Sequence, residues 1–493
     1  MTARAPSATK EVFGGSARVF IAEAISLPTG LITAAFLARR FGPDGYGVFT
    51  LTMAIVAWLE WTLASLFARA AVKLVADAED WRAPAAVALR LYGITGLLGF
   101  AALWLAAGPL ATLMHEPSLT RYLRVAAFDV PLFMVSQAHQ QVLVGTGQYA
   151  RRATVAACRW TARMILVLIL VGSGLSIAGG LAAIVGASAL ELVTARWFVR
   201  PTLRGATDVH TRTMWAYALP LFAAAMSLRL FDKLDLFVLK ALGASAAVAG
   251  LYGAAQNLTI IANLVALSVT TLLLSTLSRA LRAGDDAGAR SLAVNAMRGV
   301  LVLFPFVGVA AGASTAVATM IYGPAFAATG PLLAVLIFAA LMTVMISVAS
   351  VILTAAGRPG SAMLASLPVA PLALVGHLLV IPRFGASGAA YVTLVVAAIG
   401  AVSTVVAVHR VWHVWPPAAT LVRALVVSAI ALVVGSAWHT TGAMAIVELV
   451  TMSVVAVLLL VALGELTRAE RRLAADVVRR PRLLFTSSTR RLL

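Results

Sequence analysis

The chain is poor in the residues that soluble and redox-active proteins rely on. It has a single cysteine, Cys158, among 493 residues, which excludes a disulfide framework and any cysteine-based metal site. Only 12% of its residues are charged, whereas 61% are hydrophobic. A soluble protein of this length has no means of covering so much apolar surface. The sequence therefore predicts a protein embedded in a membrane.

Apolar runs of about 20 residues recur along the whole chain, and each is long enough to cross a hydrocarbon core of roughly 30 Å as a helix. They predict an all-α polytopic membrane protein with about 14 transmembrane helices, and counts of twelve or thirteen remain open. The N-terminus lacks the pattern of a cleaved signal peptide, so we expect the first run to stay as a span. Predicted spans 1 to 14 cover residues 17–38, 46–67, 86–108, 122–143, 153–172, 177–199, 214–240, 248–276, 297–321, 331–355, 361–380, 386–408, 419–437 and 443–463.

Lysine and arginine are distributed unevenly between the loops. If the N-terminus is placed in the cytoplasm, 29 of the 38 basic residues fall on the inner side and 6 on the outer side. This bias predicts a cell-membrane protein with both termini in the cytoplasm and an even number of spans. The same bias explains the net charge of +19 by membrane topology, so we expect no nucleic-acid partner. The basic tail over 466–493 is expected either to lie on anionic lipid or to act as an untethered solubilising segment.

The sequence repeats itself with a period of about 208 residues. Three glycine-containing stretches return after 206, 210 and 208 residues, each at a junction next to a span. A six-span unit has an even number of crossings, so both copies enter the membrane from the same side. We therefore predict two parallel six-helix repeats around a central cavity, plus two extra C-terminal helices. The matched glycines are Gly47 with Gly253, Gly147 with Gly357, and Gly180 with Gly388.

This repeat sets the expected domain organisation. The longest loop between spans has only about 20 residues, which leaves no room for a catalytic or nucleotide-binding domain. The predicted parts are a cytoplasmic N-terminus (1–16), an N-lobe (17–200), a linker (201–213), a C-lobe (214–410), spans 13 and 14 (411–465) and the basic tail (466–493).

Several stretches resemble a known family. They are "LARRFGPDGYGVFTL" after span 1, "LFARAAVKLVA" at the end of span 2, "VGTGQYARR" after span 4 and "ALPLFAAAMSLRLFDKLDLFVLKALGASAAVAGLYGAAQNL" across spans 7 and 8. These stretches are similar to the polysaccharide-export branch of the multidrug/oligosaccharidyl-lipid/polysaccharide (MOP) flippase superfamily, whose members include O-antigen and teichoic-acid precursor flippases. The resemblance implies an exporter of polyprenyl-diphosphate-linked glycans for surface polysaccharide, which works with polymerase or export machinery. In span 1, "GLITAAFLARR" replaces the Ala-Asp-aromatic stretch of lipid II flippases.

Charged residues inside spans mark candidate sites, because an ionised side chain at membrane depth is costly unless it faces protein or water. In span 7, Arg229, Asp232 and Lys233 share one helix face, with Asp235 near its edge. We predict that this face lines the cavity. The alternative is a self-neutralised group that only ties span 7 to its neighbours.

Two further groups complete the candidates. Arg159 and Arg163 in span 5 lie one turn apart, and an arginine fork suits a diphosphate. Single acids in spans 1 and 4 are candidates for a proton or Na⁺ site, or for simple pairing with an arginine. The predicted headgroup residues are Arg163, Arg229, Lys233 and Arg159, and the ion-coupling or pairing candidates are Asp232, Asp235, Glu23 and Asp129.

Two rival functions remain open on sequence alone. A cation-coupled multidrug antiporter of the same superfamily predicts an acid-dominated cavity, whereas spans 5 and 7 together carry four bases and two acids. A membrane-embedded glycosyltransferase, polymerase or ligase requires long outer loops, which are not present. No nucleotide, zinc or serine-nucleophile motif is found, so we expect no cofactor, no metal and no catalytic residue.

Overall fold

The structure, a computed structural model, describes residues 25–201, 211–212, 214–215, 233–438, 440, 442 and 444–465. The described residues form helices and connecting turns without any β-strand. A short 3₁₀ helix covers Pro324–Phe326. The α-helices are α1 (Ser26–Asp77), α2 (Arg82–Leu113), α3 (Leu119–Ala127), α4 (Asp129–Gly145), α5 (Tyr149–Gly172), α6 (Ile177–Phe198), α7 (Leu234–Ala241), α8 (Ala246–Leu258), α9 (Ile260–Arg282), α10 (Asp286–Val302), α11 (Phe304–Gly312), α12 (Ser314–Tyr322), α13 (Thr329–Ala355), α14 (Pro359–Ser366), α15 (Val369–Trp412), α16 (Ala418–Ala437) and α17 (Met444–Ala462).

The helix lengths confirm a polytopic membrane protein. Among the described residues, nine helical segments are long and apolar enough to cross a membrane. Two of them, of 52 and 54 residues, are about twice the length that one crossing requires, and each contains a kink, so each supplies two spans. The broken pairs α3–α4 and α8–α9 supply predicted spans 4 and 8. The observed helices thus follow the predicted spans, apart from the parts of spans 1 and 7 outside the described residues.

Both kinks have a local cause in the sequence. Gly42 in α1 has φ of 66° and ψ of −179°, and Pro43 follows it. Gly385 in α15 has φ of 57° and lies three residues after Pro382. Glycine adopts positive φ without a steric penalty, and proline removes a helical hydrogen bond. The chain therefore turns back into the membrane at these points with hardly any loop.

The predicted repeat is visible in the backbone. Gly147 and Gly357, one of the predicted matches, have nearly the same φ, 74° and 72°, and each lies two residues before the first residue of a helix. Within the first repeat α5 packs on α6 and α2 on α4, and within the second α13 packs on α15. The predicted boundaries of the two lobes and the linker stay a prediction.

The two extra helices are fastened to the second repeat. α16 packs on α11, and an apolar cluster joins Val309, Val427 and Met452 of α11, α16 and α17. At the end of α17 the buried Glu465 carboxylate accepts hydrogen bonds from Arg298 at 2.8 Å and Arg423 at 3.2 Å.

Thr420 on α16 completes this group by donating a hydrogen bond to Glu465 at 2.7 Å. Burial raises the pKa of the Glu465 carboxyl, but the hydrogen bonds from Arg298, Thr420 and Arg423 outweigh that effect and hold the pKa below its ordinary value. An ionised carboxylate therefore ties the last two helices to α10.

The helix ends define two faces of the molecule. The first carries the turns at 114–118, 173–176, 242–245 and 323–328, and we call it the charge-poor face. The second carries the turns at 78–81, 146–148, 283–285, 356–358 and 413–417, and we call it the basic face. That the charge-poor face lies outside the cell stays a prediction from the distribution of lysine and arginine.

Candidate functional site

A cavity of about 650 Å³ lies between the two repeats at membrane depth. Its N-lobe wall comes from α1, where Trp58 and Trp61 face it, and the remaining wall comes from the second repeat. Trp61 is 47% exposed, and part of that exposed surface faces this cavity. Polar groups from the second repeat contribute to the wall, namely Lys233, Asp235, Gln256, Asn257, Thr343, Ser347, Ser366 and Thr393.

Asp235 is the best-bonded acid of the cavity wall. Its side chain accepts hydrogen bonds from the Tyr252 hydroxyl at 2.7 Å, from Gln256 at 2.8 and 3.0 Å and from Thr393 at 3.2 Å. The backbone N–H of Leu236 adds a fifth at 2.8 Å. These donors come from three spans, so Asp235, which is only 4% exposed, joins α7, α8 and α15. Its acceptor capacity is filled by neutral groups.

Lys233 precedes Asp235 at the start of α7 and also faces the cavity. Its ammonium group donates to the Gln256 side-chain oxygen at 2.9 Å. Gln256 therefore links the lysine to Asp235 through the two ends of its amide. This arrangement fixes a positive charge in the cavity wall.

The two repeats meet directly at the charge-poor face. A β-carbon on Gly47 would lie 1.8 Å from the carbonyl oxygen of Ala246, and one on Gly250 would lie 2.1 Å from that of Pro43. Such distances are possible only for glycine, and they let α1 and α8 touch backbone to backbone. The contact joins "FGPDGYGVFTL" to "LGASAAVAGLYGAA", which are the two copies of one repeated stretch.

Polar contacts reinforce this closed face. The Lys240 ammonium, only 2% exposed, lies 3.4 Å from the Glu116 carboxylate across the two repeats. Arg39 donates to the backbone oxygen of Ile321 at 3.0 Å. Asn257 donates to the Tyr46 hydroxyl at 2.9 Å just beside the cavity. The charge-poor face is therefore shut.

A second group of charges lies inside the first repeat, and we call it the N-lobe cluster. Arg159 on α5 pairs with Glu191 on α6 at 3.1 Å and lies 4.6 Å above the ring of Phe133. Gln140 on α4 donates to the other oxygen of Glu191 at 2.9 Å. The members of the cluster are Glu60, Asp129, Arg159, Arg163 and Glu191.

The rest of the N-lobe cluster is poorly satisfied. Glu60 and Asp129 are 3% and 1% exposed and lie close enough to interact with each other. Within the described part of the chain, neither Asp129 oxygen, nor Oε1 of Glu60, nor Nε of Arg163 has a hydrogen-bond partner. The buried hydroxyls of Ser188 and Ser136 lie beside Asp129 and Glu191, respectively, without meeting hydrogen-bond geometry to any described residue. Native interiors contain few such groups, so this concentration is unusual.

The predicted candidates thus divide between two places. The structure puts Lys233 and Asp235 in the cavity wall and Asp129, Arg159 and Arg163 together in the N-lobe cluster. In the described residues neither of these arginines lines the cavity as it stands. The ring of Phe133 lies between the two places, because it contacts both Trp61 and Arg159. The other three candidates, Arg229, Asp232 and Glu23, lie outside the described residues, as does the basic tail.

Sequence reasoning missed several residues of both places. Glu60, set between Trp58 and Trp61, has the pattern of an interfacial acid, yet it is buried in the N-lobe cluster. Glu191 is a lone acid in an apolar span. The same feature made Asp129 a candidate, so the sequence could have identified Glu191 in the same way. The tryptophans of the cavity wall carry no charge, and no comparable marker distinguishes them.

Solved structures with the same architecture are transporters and flippases, not enzymes. The lipid II flippase MurJ in an inward-closed conformation is 14% identical, with a TM-score of 0.76 over 90% of this chain and 97% of that chain. An inward-facing multidrug resistance MATE family transporter of the MOP superfamily is 12% identical, with a TM-score of 0.64 over 87% of this chain and 95% of that chain. A MOP superfamily transporter from Pyrococcus furiosus is 14% identical, with a TM-score of 0.57 over 82% of this chain and 95% of that chain.

At these identities the likeness establishes the fold, which is that of the MOP superfamily, as the sequence resemblance indicated. No curated protein matches the sequence significantly. The family described as polysaccharide biosynthesis protein matches residues 15–280. Because this match covers more than half of the chain, the protein belongs to that family.

Proposed function

We propose that the protein is a flippase that moves a polyprenyl-diphosphate-linked sugar or oligosaccharide from the inner to the outer leaflet of the cell membrane. The observation that carries this proposal is the polar cavity between two similar lobes, closed at one face by contacts between the lobes. Membership in a polysaccharide biosynthesis family supports a glycan as the cargo. Both termini would lie in the cytoplasm, so that the cavity belongs to a state closed on the outside.

The diphosphate would be attracted by the basic residues of span 7. Lys233 is held in the cavity wall by Gln256, and Arg229 is one helical turn before it in sequence. Arg159 and Arg163 lie behind the wall in the N-lobe cluster, where three carboxyl groups offset their charge, so the attraction in this state would come from Lys233 and Arg229. The anionic headgroup thus meets positive charge, as electrostatic complementarity requires.

The sugar would occupy the neighbouring part of the cavity. Trp58 and Trp61 offer flat aromatic surfaces on which the C–H face of a pyranose ring packs. Asn257, Thr343 and Ser347 face the same space with amide and hydroxyl groups that bond sugar hydroxyls. An apolar lipid chain would remain in the bilayer during transfer.

The contact between the repeats suits a rocking motion. Gly47 and Gly250 touch backbone to backbone, so their own contact involves no side chains, and beside it Tyr46 would separate from Tyr322 and Phe326. The pairs Lys240–Glu116 and Arg39–Ile321 break at the same time and open the outer face. Breaking a few polar contacts between preformed lobes is the type of change that alternating access uses.

A multidrug antiporter is the second candidate, because the MATE transporters share the fold. Such a protein would bind organic cations, to which Asp235 is the nearest acid in the cavity wall. That acid is already saturated by neutral donors, and Lys233 lies beside it, so the wall disfavours a cationic ligand.

Reconstitution distinguishes these functions. The protein would be placed in vesicles that contain a polyprenyl-diphosphate-linked trisaccharide, and transfer would be followed by access of an impermeant lectin. We expect protein-dependent transfer that Lys233→Ala slows about tenfold, the equivalent of about 1.4 kcal/mol, and that Arg358→Ala, a basic residue outside the cavity, leaves unchanged. Cation-driven ethidium export without glycolipid transfer would overturn the proposal in favour of the antiporter.

The same vesicles carry a test of the cargo. Lipid II, bare polyprenyl diphosphate and the trisaccharide-linked lipid would be compared at equal concentration. We expect the longer glycan to be transferred fastest, because the tryptophan and hydroxyl wall has room beyond the diphosphate. Preferential transfer of lipid II would contradict the proposed cargo class and leave the flippase assignment intact.

A further inference from the structure

We propose that the central cavity selects a neutral, hydroxyl-rich glycan and rejects an acidic one, such as a glycan that contains a uronic acid. The identity of the cargo as a lipid-linked glycan rests on the proposed function, whereas the preference for a neutral sugar follows from the hydrogen-bonding groups of the cavity wall. The hydroxyl groups, the amides and the charges of that wall all favour a cargo that donates hydrogen bonds.

The hydroxyl groups of the wall have already committed their protons. Five serines and threonines line the cavity, and each donates to a backbone oxygen one helical turn earlier in the chain. A hydroxyl has one proton and two lone pairs, so each of these groups offers the cavity only an acceptor. The five bonds are Thr259 to Gln256 at 2.8 Å, Thr343 to Ala340 at 2.7 Å, Ser347 to Thr343 at 2.9 Å, Ser366 to Ala362 at 2.9 Å and Thr393 to Ala389 at 3.0 Å.

These hydroxyls gain little by turning toward an anion. Thr343 or Ser347 would have to give up its bond to the backbone before it could donate to the cargo, so only the difference between two hydrogen bonds is gained. Thr393 would also lose its hydrogen bond to the Asp235 carboxylate at 3.2 Å. Accepting a hydrogen bond from the cargo breaks none of these bonds. The hydroxyl groups therefore favour cargo groups that donate.

The two amide side chains of the wall add few donors. Gln256 donates to both oxygens of Asp235 and accepts from Lys233 at 2.9 Å, so both ends of its amide are occupied. Asn257 donates to the Tyr46 hydroxyl at 2.9 Å, which leaves one N–H and the side-chain oxygen for the cargo. A carboxylate that leaves water needs several donors in place of its hydration. The amides do not supply them.

The charges of the wall lead to the same preference. Among the described residues of the wall, the charged ones are Lys233 and Asp235, one of each sign. The proposed function assigns Lys233 and Arg229 to the diphosphate, and Asp235 is held by neutral donors. A second anion in the glycan would therefore find no further cation in the described wall and would be repelled by the diphosphate. Trp58 and Trp61 carry only neutral indole N–H groups.

A neutral sugar matches these groups. Each of its hydroxyls both donates and accepts, so it can use the lone pairs of Thr343 and Ser347, which lie one turn apart on α13, and of Ser366 at the end of α14. Exchange of one CH₂OH group for a carboxylate removes a donor and adds a charge. A site that bonds hydroxyl groups rejects an analogue that leaves its polar groups unpaired, and we expect a loss of affinity of about tenfold or more.

Binding to the purified full-length protein tests this preference without any transfer. Calorimetric titration at neutral pH would compare two citronellyl-diphosphate-linked trisaccharides that differ only at C6 of the last sugar, which is glucose in one ligand and glucuronic acid in the other. Bare citronellyl diphosphate measures the affinity that the diphosphate provides by itself. We expect the glucose ligand to bind about tenfold more tightly than the glucuronic acid ligand. The corresponding glucuronamide has the shape of the acid but donates N–H groups, and it should bind like the glucose ligand.

Two variants connect the preference to particular side chains. Thr343→Val keeps the shape of the side chain and removes its acceptor, so it should weaken binding of the glucose ligand about fivefold and leave the acid ligand unchanged. Ser347→Lys adds a charged donor on the same helix and should abolish or reverse the preference. Thr354→Val is the matched control, because Thr354 also lies on α13 and donates to Ser350 at 2.7 Å but is exposed outside the cavity. If Ser347→Lys fails to fold, Thr343→Val and the glucuronamide still decide the question.

Three outcomes would overturn the proposal. They are equal or tighter binding of the glucuronic acid ligand, a glucuronamide that binds as weakly as the acid, and a glucose ligand that binds no more tightly than bare citronellyl diphosphate. Transfer in vesicles is a separate measurement. A binding preference without transfer would reject the flippase and keep the selectivity, whereas transfer of both glycolipids with equal affinity would keep the flippase and reject the selectivity.

Discussion

The two lobes bury acids at similar depth but satisfy them in opposite ways. In the C-lobe, Asp235 accepts five hydrogen bonds from neutral donors on three spans. In the N-lobe, Glu60 and Asp129 leave three oxygens without a partner in the described residues. Because the lobes are repeats of one unit, this difference was not imposed by the fold. The saturated acid joins three spans, whereas the acids of the N-lobe cluster leave acceptor sites unused.

The largest expected effect comes from replacing one buried acid in each lobe with alanine and comparing the loss of stability. Asp235→Ala leaves the buried Tyr252 hydroxyl and the half-buried Gln256 amide without this acceptor, which costs about 3 kcal/mol. Asp129→Ala removes the same atoms from an equally buried position but strands no donor. We expect the free energy of unfolding to fall by about 3 kcal/mol more for Asp235→Ala, as measured by denaturation in one detergent.

Both variants replace a buried aspartate with alanine, so the effect of the lost side-chain volume is the same in each and cancels in the comparison. Equal destabilisation would mean that Asp129 is as well bonded as Asp235, and the contrast between the lobes would be wrong. Circular dichroism before denaturation checks that both variants retain their helices. A loss confined to Asp129→Ala would reverse the roles of the two lobes.

Much of the fold was predictable because the membrane imposes simple rules. Apolar runs of fixed length mark the spans, and the helices begin and end within a few residues of the predicted limits for α5, α6, α13 and α16. The glycine matches identified the repeat, and Gly147 and Gly357 have nearly equal φ. The turns at Gly42 and Gly385 follow from prolines within three residues of each glycine.

The site was less predictable because composition does not fix the rotation of a span about its axis. The cluster of Glu60, Asp129 and Glu191 forms only when α1, α4 and α6 turn the correct faces toward each other. Sequence placed Arg159 and Arg163 on one face but did not reveal that Phe133 separates Arg159 from the cavity. The repeated glycine stretches were recognised as copies, whereas their mutual contact follows only from the packing of α1 on α8.

A third acid sharpens the comparison, because it is satisfied by cations. Glu465→Gln removes the charge that binds Arg298 and Arg423, and we expect it to destabilise the protein by about 2 kcal/mol at neutral pH. The pKa of Glu465 lies below its ordinary value, so its contribution is complete above the ordinary glutamate pKa of about 4.3 and disappears as the pH falls through the lower folded-state value. The difference between wild type and variant should therefore shrink on acidification.

Thermal unfolding of both proteins across the acidic range measures this difference. Asp286→Asn, an exposed acid at the start of α10, is the control and should leave the pH profile unchanged. A gap between wild type and Glu465→Gln that stays constant down to acidic pH would show that the carboxylate gains nothing from its arginines. The attachment of α16 and α17 to the second repeat would then depend on apolar packing alone.

The smallest expected effect is the change in stability when one hydroxyl is removed from each lobe. Thr393→Val removes a donor to Asp235 and should cost about 1 kcal/mol, because a buried acceptor loses one of five partners. Ser188→Ala removes a fully buried hydroxyl that has no partner within the described residues, and it should be neutral or slightly stabilising. Denaturation of the two variants beside wild type measures both. A cost at Ser188 equal to that at Thr393 would mean that the serine is bonded after all, to water or to Asp129. The N-lobe cluster would then be a satisfied network like its counterpart, and the contrast between the two lobes would be wrong.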